Sequence, residues 1–404
     1  YGRLGRLEGP TTALNQQEET MYRCFAFIAA AFLSCLIPCA AAQTLVAIGG
    51  GLQPDNESIY GRVVELAGEN PTICIFGTAS ADPQGSAESY LEDFTTYGAE
   101  AVIVDITTDN AATNTIDEGI IETIRGCNGY FFAGGDQRRI TEALLESDED
   151  TLAMAALREG FGAGKVVAGT SAGLAAMSTP MISGGASIDT LLEGPDTVTL
   201  EPGLSFVTGI ILDQHSLERG RFGRLVGALA MTDIPLGVGV GENTAVVIPP
   251  SGAWEVLGEG YALVIEMPQE ANQDTLENIK LSLIANGDTF NPETGEFTID
   301  EGRSSDEVGD YYDPGTVFAV DIFGPDVLPG VLERLLDGPE TTASGLGFVG
   351  SGDESFTSSG VRLTFSETPE TQGYWGRVPG KRYSFVRVGM RVEPVVVTVS
   401  PGSE

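Results

Sequence analysis

From Thr44 onward, short apolar runs alternate with longer amphipathic stretches. The first amphipathic stretches, around Ser58 to Ala67 and Ala87 to Tyr97, have helical periodicity. The apolar runs between helical stretches are predicted strands, namely Leu45 to Ile48, Thr72 to Phe76, Val102 to Ile106, Tyr130 to Ala133 and Val166 to Ala168. Strands that are apolar on both faces and separated by helices indicate a mostly parallel sheet with helices on both faces. We therefore predict an α/β fold, with any ligand at the carboxyl ends of the strands.

The pattern changes after about Gln269, where Gly, Asp, Thr and Ser dominate. Val361 to Phe365 and Tyr383 to Val399 alternate or run β-branched, which is typical of strands. We therefore divide the chain into an α/β domain at residues 43–268 and a β-rich C-terminal region at residues 269–404. The acidic stretch Asp300 to Asp313 lacks the ordered spacing of a calcium loop, so we interpret it as a solvated loop and predict no metal site.

Residues 1–42 have the composition of an upstream extension followed by a targeting segment. A short basic flank follows Met21, an apolar stretch covers Cys24 to Pro38, and three alanines end at Ala42. This order is typical of a secretory signal at about residues 21–42, with cleavage near Ala42-Gln43. The apolar core is too short to span a bilayer. We expect a secreted or periplasmic protein without a membrane span.

The net charge of the chain limits the kinds of molecule that it can bind. The chain has 58 acidic and 21 basic residues and a formal net charge of -37, which repels phosphate backbones and excludes nucleic acid as a partner. The simpler explanation of this charge is that it keeps the protein soluble. Attraction of an arginine-bearing substrate is the alternative, and it stays open. Outside the signal only Cys74 and Cys127 remain, and we expect buried free thiols rather than a disulfide.

The segment Gly169-Thr170-Ser171-Ala172-Gly173 follows an apolar strand and opens a helical stretch, Leu174 to Met177. In that context a Gly-x-Ser-x-Gly turn projects the serine hydroxyl from a sharp elbow. The alternative is a tight turn with a capping serine.

The chain contains a single histidine, His215, which lies after the predicted strand Val207 to Leu212 and before the helical stretch Leu217 to Leu229. It is therefore the only imidazole available to activate Ser171. A carboxylate must then orient the ring, and Glu242 at the end of the apolar run Leu236 to Val240 suits this better than Asp213, which is too close in sequence. The order Ser, His, acid differs from that of α/β-hydrolases.

Four motifs in order resemble a known family. They are Phe132 to Gln137, Gly169 to Gly173, Asp213 to His215 with Glu218 to Leu225, and Gly239 to Ala245. Together they are similar to cyanophycinases, the serine peptidases of family S51, which are related to peptidase E and have a sheet like that of class I glutamine amidotransferases. The resemblance covers about residues 44–268.

The resemblance implies hydrolysis of cyanophycin, a poly-aspartate with an arginine on each side-chain carboxyl, to β-Asp-Arg dipeptides through an acyl-enzyme and without a cofactor. It implies that Ser171 is the nucleophile, His215 the base and Glu242 its orienting acid. Its remaining site residues are the oxyanion-hole amides of Gly135 and Ala172 and the substrate-binding residues Gln137, Asp213, Gln214, Arg219, Arg221, Arg224 and Asn243. The chain departs from the pattern at Ser216, where an aromatic is expected, and at Gly241, where aspartate is common, which leaves substrate preference less determined than reaction type.

Two alternatives stay open from the sequence. One is an α-aspartyl dipeptidase of the peptidase E type, which shares the nucleophile turn. The other is a secreted binding module without catalytic activity, in which the C-terminal region is the functional part. The sequence also leaves the oligomeric state open, a homodimer included.

Overall fold

The computed structural model describes residues 1–2, 43–194, 197–269, 276–305, 309, 311–350, 355–378 and 380–400. The predicted signal segment therefore lies outside the described residues. All that follows concerns the compact unit Ala42–Glu404.

The helices follow the amphipathic stretches and are mostly short. They are α1 (Glu57–Ala67), α2 (Pro83–Thr96), α3 (Ala111–Asn114), α4 (Glu118–Gly126), α5 (Gln137–Leu144), α6 (Leu152–Gly162), α7 (Ala172–Ala175), α8 (Ser187–Glu193), α9 (Phe222–Ala230) and α10 (Val327–Leu336). Side chains of Asn56, Asp82, Asp117 and Thr151 accept hydrogen bonds from first-turn amides of α1, α2, α4 and α6. These caps explain where each of the four helices begins.

The strands belong mainly to two large sheets. They are β1 (Leu45–Ile48), β2 (Thr72–Phe76), β3 (Glu100–Ile103), β4 (Gly129–Phe132), β5 (Leu145–Glu146), β6 (Glu149–Asp150), β7 (Val166–Thr170), β8 (Ser178–Thr179), β9 (Met181–Gly184), β10 (Thr199–Glu201), β11 (Val207–Thr208), β12 (Ile211–Gln214), β13 (Leu236–Val240), β14 (Thr244–Ile248), β15 (Trp254–Gly258), β16 (Tyr261–Glu266), β17 (Ile279–Ala285), β18 (Thr289–Asn291), β19 (Glu296–Thr298), β20 (Arg303–Ser304), β21 (Val317–Ala319), β22 (Thr342–Phe348), β23 (Phe356–Ser366), β24 (Gln372–Gly376) and β25 (Tyr383–Val399).

The first sheet has the order β19-β18-β15-β14-β1-β7-β4-β2-β3. Its half from β1 to β3 is parallel, while β14, β15, β18 and β19 extend it antiparallel from β1. Alternate residues of β1 face opposite layers: Leu45 and Ala47 pack toward α4 to α7, and Val46 and Ile48 toward α1 and α2. The predicted α/β fold with helices on both faces is confirmed.

The second sheet has the order β12-β13-β16-β17-β25-β23-β22-β21, with β20 and β24 attached beside it. Helices α9 and α10 pack against it through apolar side chains such as Leu225 and Leu332. The predicted β-rich C-terminal region is present here. Strands that precede residue 268 and strands that follow it belong to this sheet. The division of the chain into two domains at that residue therefore stays a prediction.

The prediction of two free thiols is wrong. Cys74 on β2 and Cys127 at the end of α4 form a disulfide, with Cα atoms 5.8 Å apart. The two cysteines meet because α4 ends close to β2. The chain then enters β4, which pairs with β2. Within the described ranges, no helix has the length and apolarity to cross a bilayer.

Candidate active site

Ser171 stands between β7 and α7 in a backbone conformation that is rare for a residue with a side chain. Its φ is 54° and its ψ is -111°. The hydroxyl makes no capping hydrogen bond to α7 and instead lies 2.8 Å from Nε2 of His215. The serine is therefore not a helix cap; the sharp turn presents it to the imidazole.

The glycines beside Ser171 are required by close packing. A Cβ atom on Gly169 would lie 2.6 Å from the carbonyl carbon of Gly173, and one on Gly173 would lie 2.2 Å from the carbonyl oxygen of Phe132. Strand and helix thus approach more closely than any side chain permits.

His215 follows β12 of the second sheet and is only 4% exposed. Its amide donates to the carbonyl of Gly49 at 2.9 Å, which ties the end of β12 to the end of β1. Nδ1 lies 2.6 Å from Oε1 of Glu242. Gly50 packs against the ring, since a Cβ atom there would lie 2.2 Å from Cε1 of the imidazole.

Glu242 lies on the short connection between β13 of the second sheet and β14 of the first. Its amide donates to Oε1 of Glu218 at 3.0 Å. The next residue, Asn243, donates its amide to the carbonyl of Gly50 at 2.8 Å, and its side-chain oxygen accepts from Asn56 at 2.8 Å. The predicted residue Asn243 therefore fixes the loop around the site through its own side chain.

The imidazole is held neutral by its surroundings. Burial lowers the pKa of His215 below its usual value, and the nearby guanidinium groups of Arg219 and Arg221 lower it further, against the opposing effect of Glu242. With Nδ1–H donated to the carboxylate, Nε2 keeps the lone pair that faces Ser171. This is the protonation state that a general base requires.

The predicted oxyanion-hole residues belong to the turn that holds Ser171 and to the turn after β4. A Cβ atom on Gly134 would lie 3.3 Å from Cβ of Ser171, so the turn after β4 adjoins the nucleophile. Gly135 has a φ of 145°, and a Cβ atom there would lie 2.0 Å from the carbonyl oxygen of Ala79. Ala172 is the first residue of α7, where an amide has no acceptor within the helix. The amide of Ala172 thus directly follows Ser171 in the chain, and the amide of Gly135 directly follows the turn residue that contacts Ser171.

The arginine cluster divides into an accessible and a buried part. Arg219 is exposed, and Arg221 is half-buried with Nη1 2.5 Å from Oε1 of Gln214. Burial lowers the pKa of Arg221 to about 10, with repulsion from Arg224 contributing. A desolvated guanidinium beside the triad favours the approach of a carboxylate.

Arg224 and Asp213 bind each other. Their side chains are 5% and 1% exposed, and two hydrogen bonds of 2.8 Å and 2.6 Å join them. Both were predicted to bind substrate, and in the structure their charges are already matched. Gln137 is also buried and donates through Nε2 to the carbonyl of Ile182 at 2.7 Å. Contact of these three side chains with substrate stays a prediction.

Gly50 beneath the imidazole and Glu218 beneath the triad carboxylate were not predicted as site residues. Burial raises the pKa of Glu218, whose second carboxylate oxygen is buried without a hydrogen-bond partner among the described residues. The sequence signal for Gly50 is the run Gly49-Gly50-Gly51 at the end of a predicted strand, and the signal for Glu218 is its place at the start of the motif Glu218 to Leu225. The described residues contain no cluster of His, Cys, Asp and Glu arranged to hold a metal ion.

A hydroxyl, a lone imidazole and a carboxylate, joined by short hydrogen bonds at the carboxyl ends of strands, define the site of a serine hydrolase. The family model of peptidase family S51 matches residues 45–254. The chain belongs to this peptidase family and is a serine peptidase.

Comparison with individual proteins gives the same family. The chain is 31% identical to a cyanophycinase of Trichormus variabilis and 32% identical to one of Nostoc sp., each over 269 residues that cover 62% of this chain and 86% of the relative. Among solved structures it is similar to a peptidase from an acI-B1 Actinobacterium, with a TM-score of 0.48 and 15% identity over 61% of this chain and 96% of that one.

Proposed function

We propose that this chain hydrolyses cyanophycin to β-Asp-Arg dipeptides as a serine-type exopeptidase. The observation that carries the proposal is the row of hydrogen bonds from Ser171 through His215 to Glu242, at 2.8 Å and 2.6 Å. The relatives named cyanophycinase, which the chain matches over most of their length, support the choice of substrate.

In the mechanism, Nε2 of His215 removes the hydroxyl proton as Oγ of Ser171 attacks the α-peptide carbonyl of an aspartyl residue. Glu242 accepts Nδ1–H throughout, which holds the ring orientation and stabilises the imidazolium. The imidazolium then protonates the departing amine, and an acyl-enzyme on Ser171 remains. Water activated by the same imidazole hydrolyses the ester and releases the dipeptide.

The amides of Gly135 and Ala172 support the tetrahedral intermediate. The turn of Gly134 and Gly135 adjoins Ser171, and Ala172 begins the helix whose N-terminus faces the developing charge. Removing one such donor typically raises the barrier by about 3 to 4 kcal/mol. Because both donors are backbone groups fixed by packing, they need no reorganisation during the reaction.

Arg219 and Arg221 supply the specificity for an acidic substrate group. In cyanophycin each arginine is attached through its α-amino group, so its α-carboxylate is free. A guanidinium group binds a carboxylate through two parallel hydrogen bonds, and Arg219 is exposed and lacks an acidic partner within salt-bridge distance in the described part of the chain.

Export belongs to the same proposal. The signal-like segment at residues 21–42 supports it, and so does the disulfide between Cys74 and Cys127, because disulfides persist mainly in oxidising compartments. N-terminal sequencing of protein recovered from culture medium tests it, with a new start near Gln43 expected. A mature protein that begins upstream of residue 21 would contradict it.

The test of the activity is incubation with insoluble cyanophycin and mass analysis of the soluble products. The expected product is the β-Asp-Arg dipeptide, lost with Ser171→Ala and kept with the control Ser183→Ala, whose half-buried hydroxyl on β9 donates only to the carbonyl of Thr199 at 3.4 Å. Free arginine as the main product would contradict the proposal.

The same preparation separates the alternatives. Cleavage of α-Asp-X dipeptides with no action on the polymer would indicate a peptidase E-type dipeptidase. Retention of polymer without any cleavage would indicate a binding module.

A further inference from the structure

A second cleft lies in the C-terminal half of the chain, largely outside the part matched by the peptidase family model. Its volume is about 650 Å³, which is within the range of ligand sites. Its lining includes the partly exposed aromatic side chains of Trp375 and Tyr383 and the charged side chains of Glu333, Arg377 and Lys381, with the buried ring of Tyr261 behind Lys381.

Two basic side chains of this cleft have no acidic partner among the described residues. Arg377 and Lys381 make no ion pair with any carboxylate of the described residues, although acidic residues outnumber basic ones by 58 to 21 in the chain. Instead Nζ of Lys381 lies 5.3 Å over the ring of Tyr261, and the guanidinium of Arg377 lies 6.0 Å over Trp375. These cations are therefore held at the cleft wall with their hydrogen-bonding capacity free for an anion.

One carboxylate of the cleft is also free. Glu333 on α10 is half-buried, and its side chain accepts no hydrogen bond from the described residues, whereas Asp337 one turn later accepts from Tyr383 at 2.7 Å. Burial raises the pKa of Glu333, against the effect of Lys381. An unpaired, partly desolvated carboxylate beside aromatic faces favours an incoming cation.

We propose that this cleft binds an arginyl group whose α-carboxylate is free, with Arg377 and Lys381 on the carboxylate and Glu333 and the aromatic faces on the guanidinium. Such a group is the side chain of every cyanophycin repeat, so this inference rests on the proposed function. The cleft is then an accessory site that holds the polymer while its end is hydrolysed.

The wall of the cleft is connected to the loop that carries the triad acid. The carbonyl of Tyr261 accepts the amide of Gly241 at 2.9 Å, and Gly241 directly precedes the triad carboxylate Glu242. A polymer retained on the same molecule as the nucleophile has a higher effective concentration of chain ends at the active site.

Tryptophan fluorescence can report on this cleft alone. The chain has two tryptophans, and Trp254 is 6% exposed within the first sheet, whereas Trp375 lines the cleft. In a Trp254→Phe, Ser171→Ala protein, we expect Nα-acetyl-L-arginine to change the emission of Trp375 saturably. Its amide, which lacks the carboxylate, and Nα-acetyl-L-norleucine, which lacks the guanidinium, should each bind more weakly.

Two variants assign the contacts. Lys381→Met should weaken binding of Nα-acetyl-L-arginine by about twofold to fivefold and leave binding of the amide unchanged. Glu333→Gln should remove the preference over Nα-acetyl-L-norleucine. Equilibrium dialysis of Nα-acetyl-L-arginine against the wild-type chain and both variants gives the same comparison without the Trp254 substitution.

The proposal is overturned if Nα-acetyl-L-arginine gives no saturable change, or if both variants bind it as the parent does. Hydrolysis of cyanophycin by the wild-type chain is measured in parallel. Binding without hydrolysis would contradict only the proposed activity, and hydrolysis without binding would contradict only the accessory site.

Discussion

Gly50 sets the position of the imidazole, and replacing it by alanine should disable the site while leaving the fold. The added methyl would lie 2.2 Å from Cε1 and 2.4 Å from Nε2 of His215. A carbon–carbon contact needs about 3.5 Å, so the ring must retreat by about 1 Å. The ring is held at both ends by bonds of 2.8 Å and 2.6 Å, and this shift breaks at least one of them.

A misplacement of this size typically lowers the rate by about 10²-fold, which corresponds to about 2.7 kcal/mol of barrier. Gly50 also has a φ of 109°, so alanine adds backbone strain of about 1 kcal/mol or more. Gly68 is a matched control, because its φ is 99° and nothing lies within 4 Å of its Cβ position. Gly68→Ala therefore carries the strain without the clash.

The assay compares kcat/KM on cyanophycin and the denaturant midpoint for both variants. We expect a loss of stability from Gly68→Ala, a loss at least as large from Gly50→Ala, and a loss of activity of about 10²-fold only from Gly50→Ala. Equal activity in the two variants would refute the role of Gly50 in positioning the imidazole of His215.

Further predictions concern three other features. The acid limb of the pH–rate profile should have its midpoint below 6.5, because burial lowers the pKa of His215 and only the neutral ring accepts the serine proton; a midpoint above 6.5 would contradict this. Asp213→Asn and Arg224→Met should each lower the free energy of unfolding by about 3 to 5 kcal/mol, because each leaves one buried charge without its partner, and the double variant should recover part of this loss. A loss below about 1 kcal/mol in either single variant would refute a buried ion pair. Alkylation of protein purified without reductant should label Cys74 and Cys127 only after reduction, and replacing both by alanine should lower the free energy of unfolding by about 4 kcal/mol for a loop of 53 residues; two thiols that label without reductant would exclude the disulfide.

Much of the fold could be predicted because the strands bury both faces or run β-branched. The bounds of β1, β2, β13 and β25 match the predicted runs to the residue. Helix α10 was missed because Pro329 and Gly330 interrupt its pattern. Pro329 occupies the first turn, where its missing N–H costs no hydrogen bond.

The site was predictable to the extent that chain composition limited the choices. One histidine left one imidazole for Ser171, and the strand-end position of Glu242 selected the acid. The burial of the ion pair of Asp213 and Arg224 could not be predicted. Two oppositely charged residues 11 positions apart give the same sequence pattern whether their ion pair is buried or exposed. The disulfide was missed for a similar reason, since its formation depends on the distance between β2 and the end of α4.

The coupling of Ser171 and His215 in catalysis tests the account most directly. Ser171→Ala, His215→Ala and the double variant are compared for the rate of dipeptide release from cyanophycin. Since both groups act in one proton transfer, each single variant should lose about 10⁶-fold in kcat and the double variant no more than that. Losses that multiply in the double variant, or a single variant that keeps a tenth of the wild-type rate, would contradict the account.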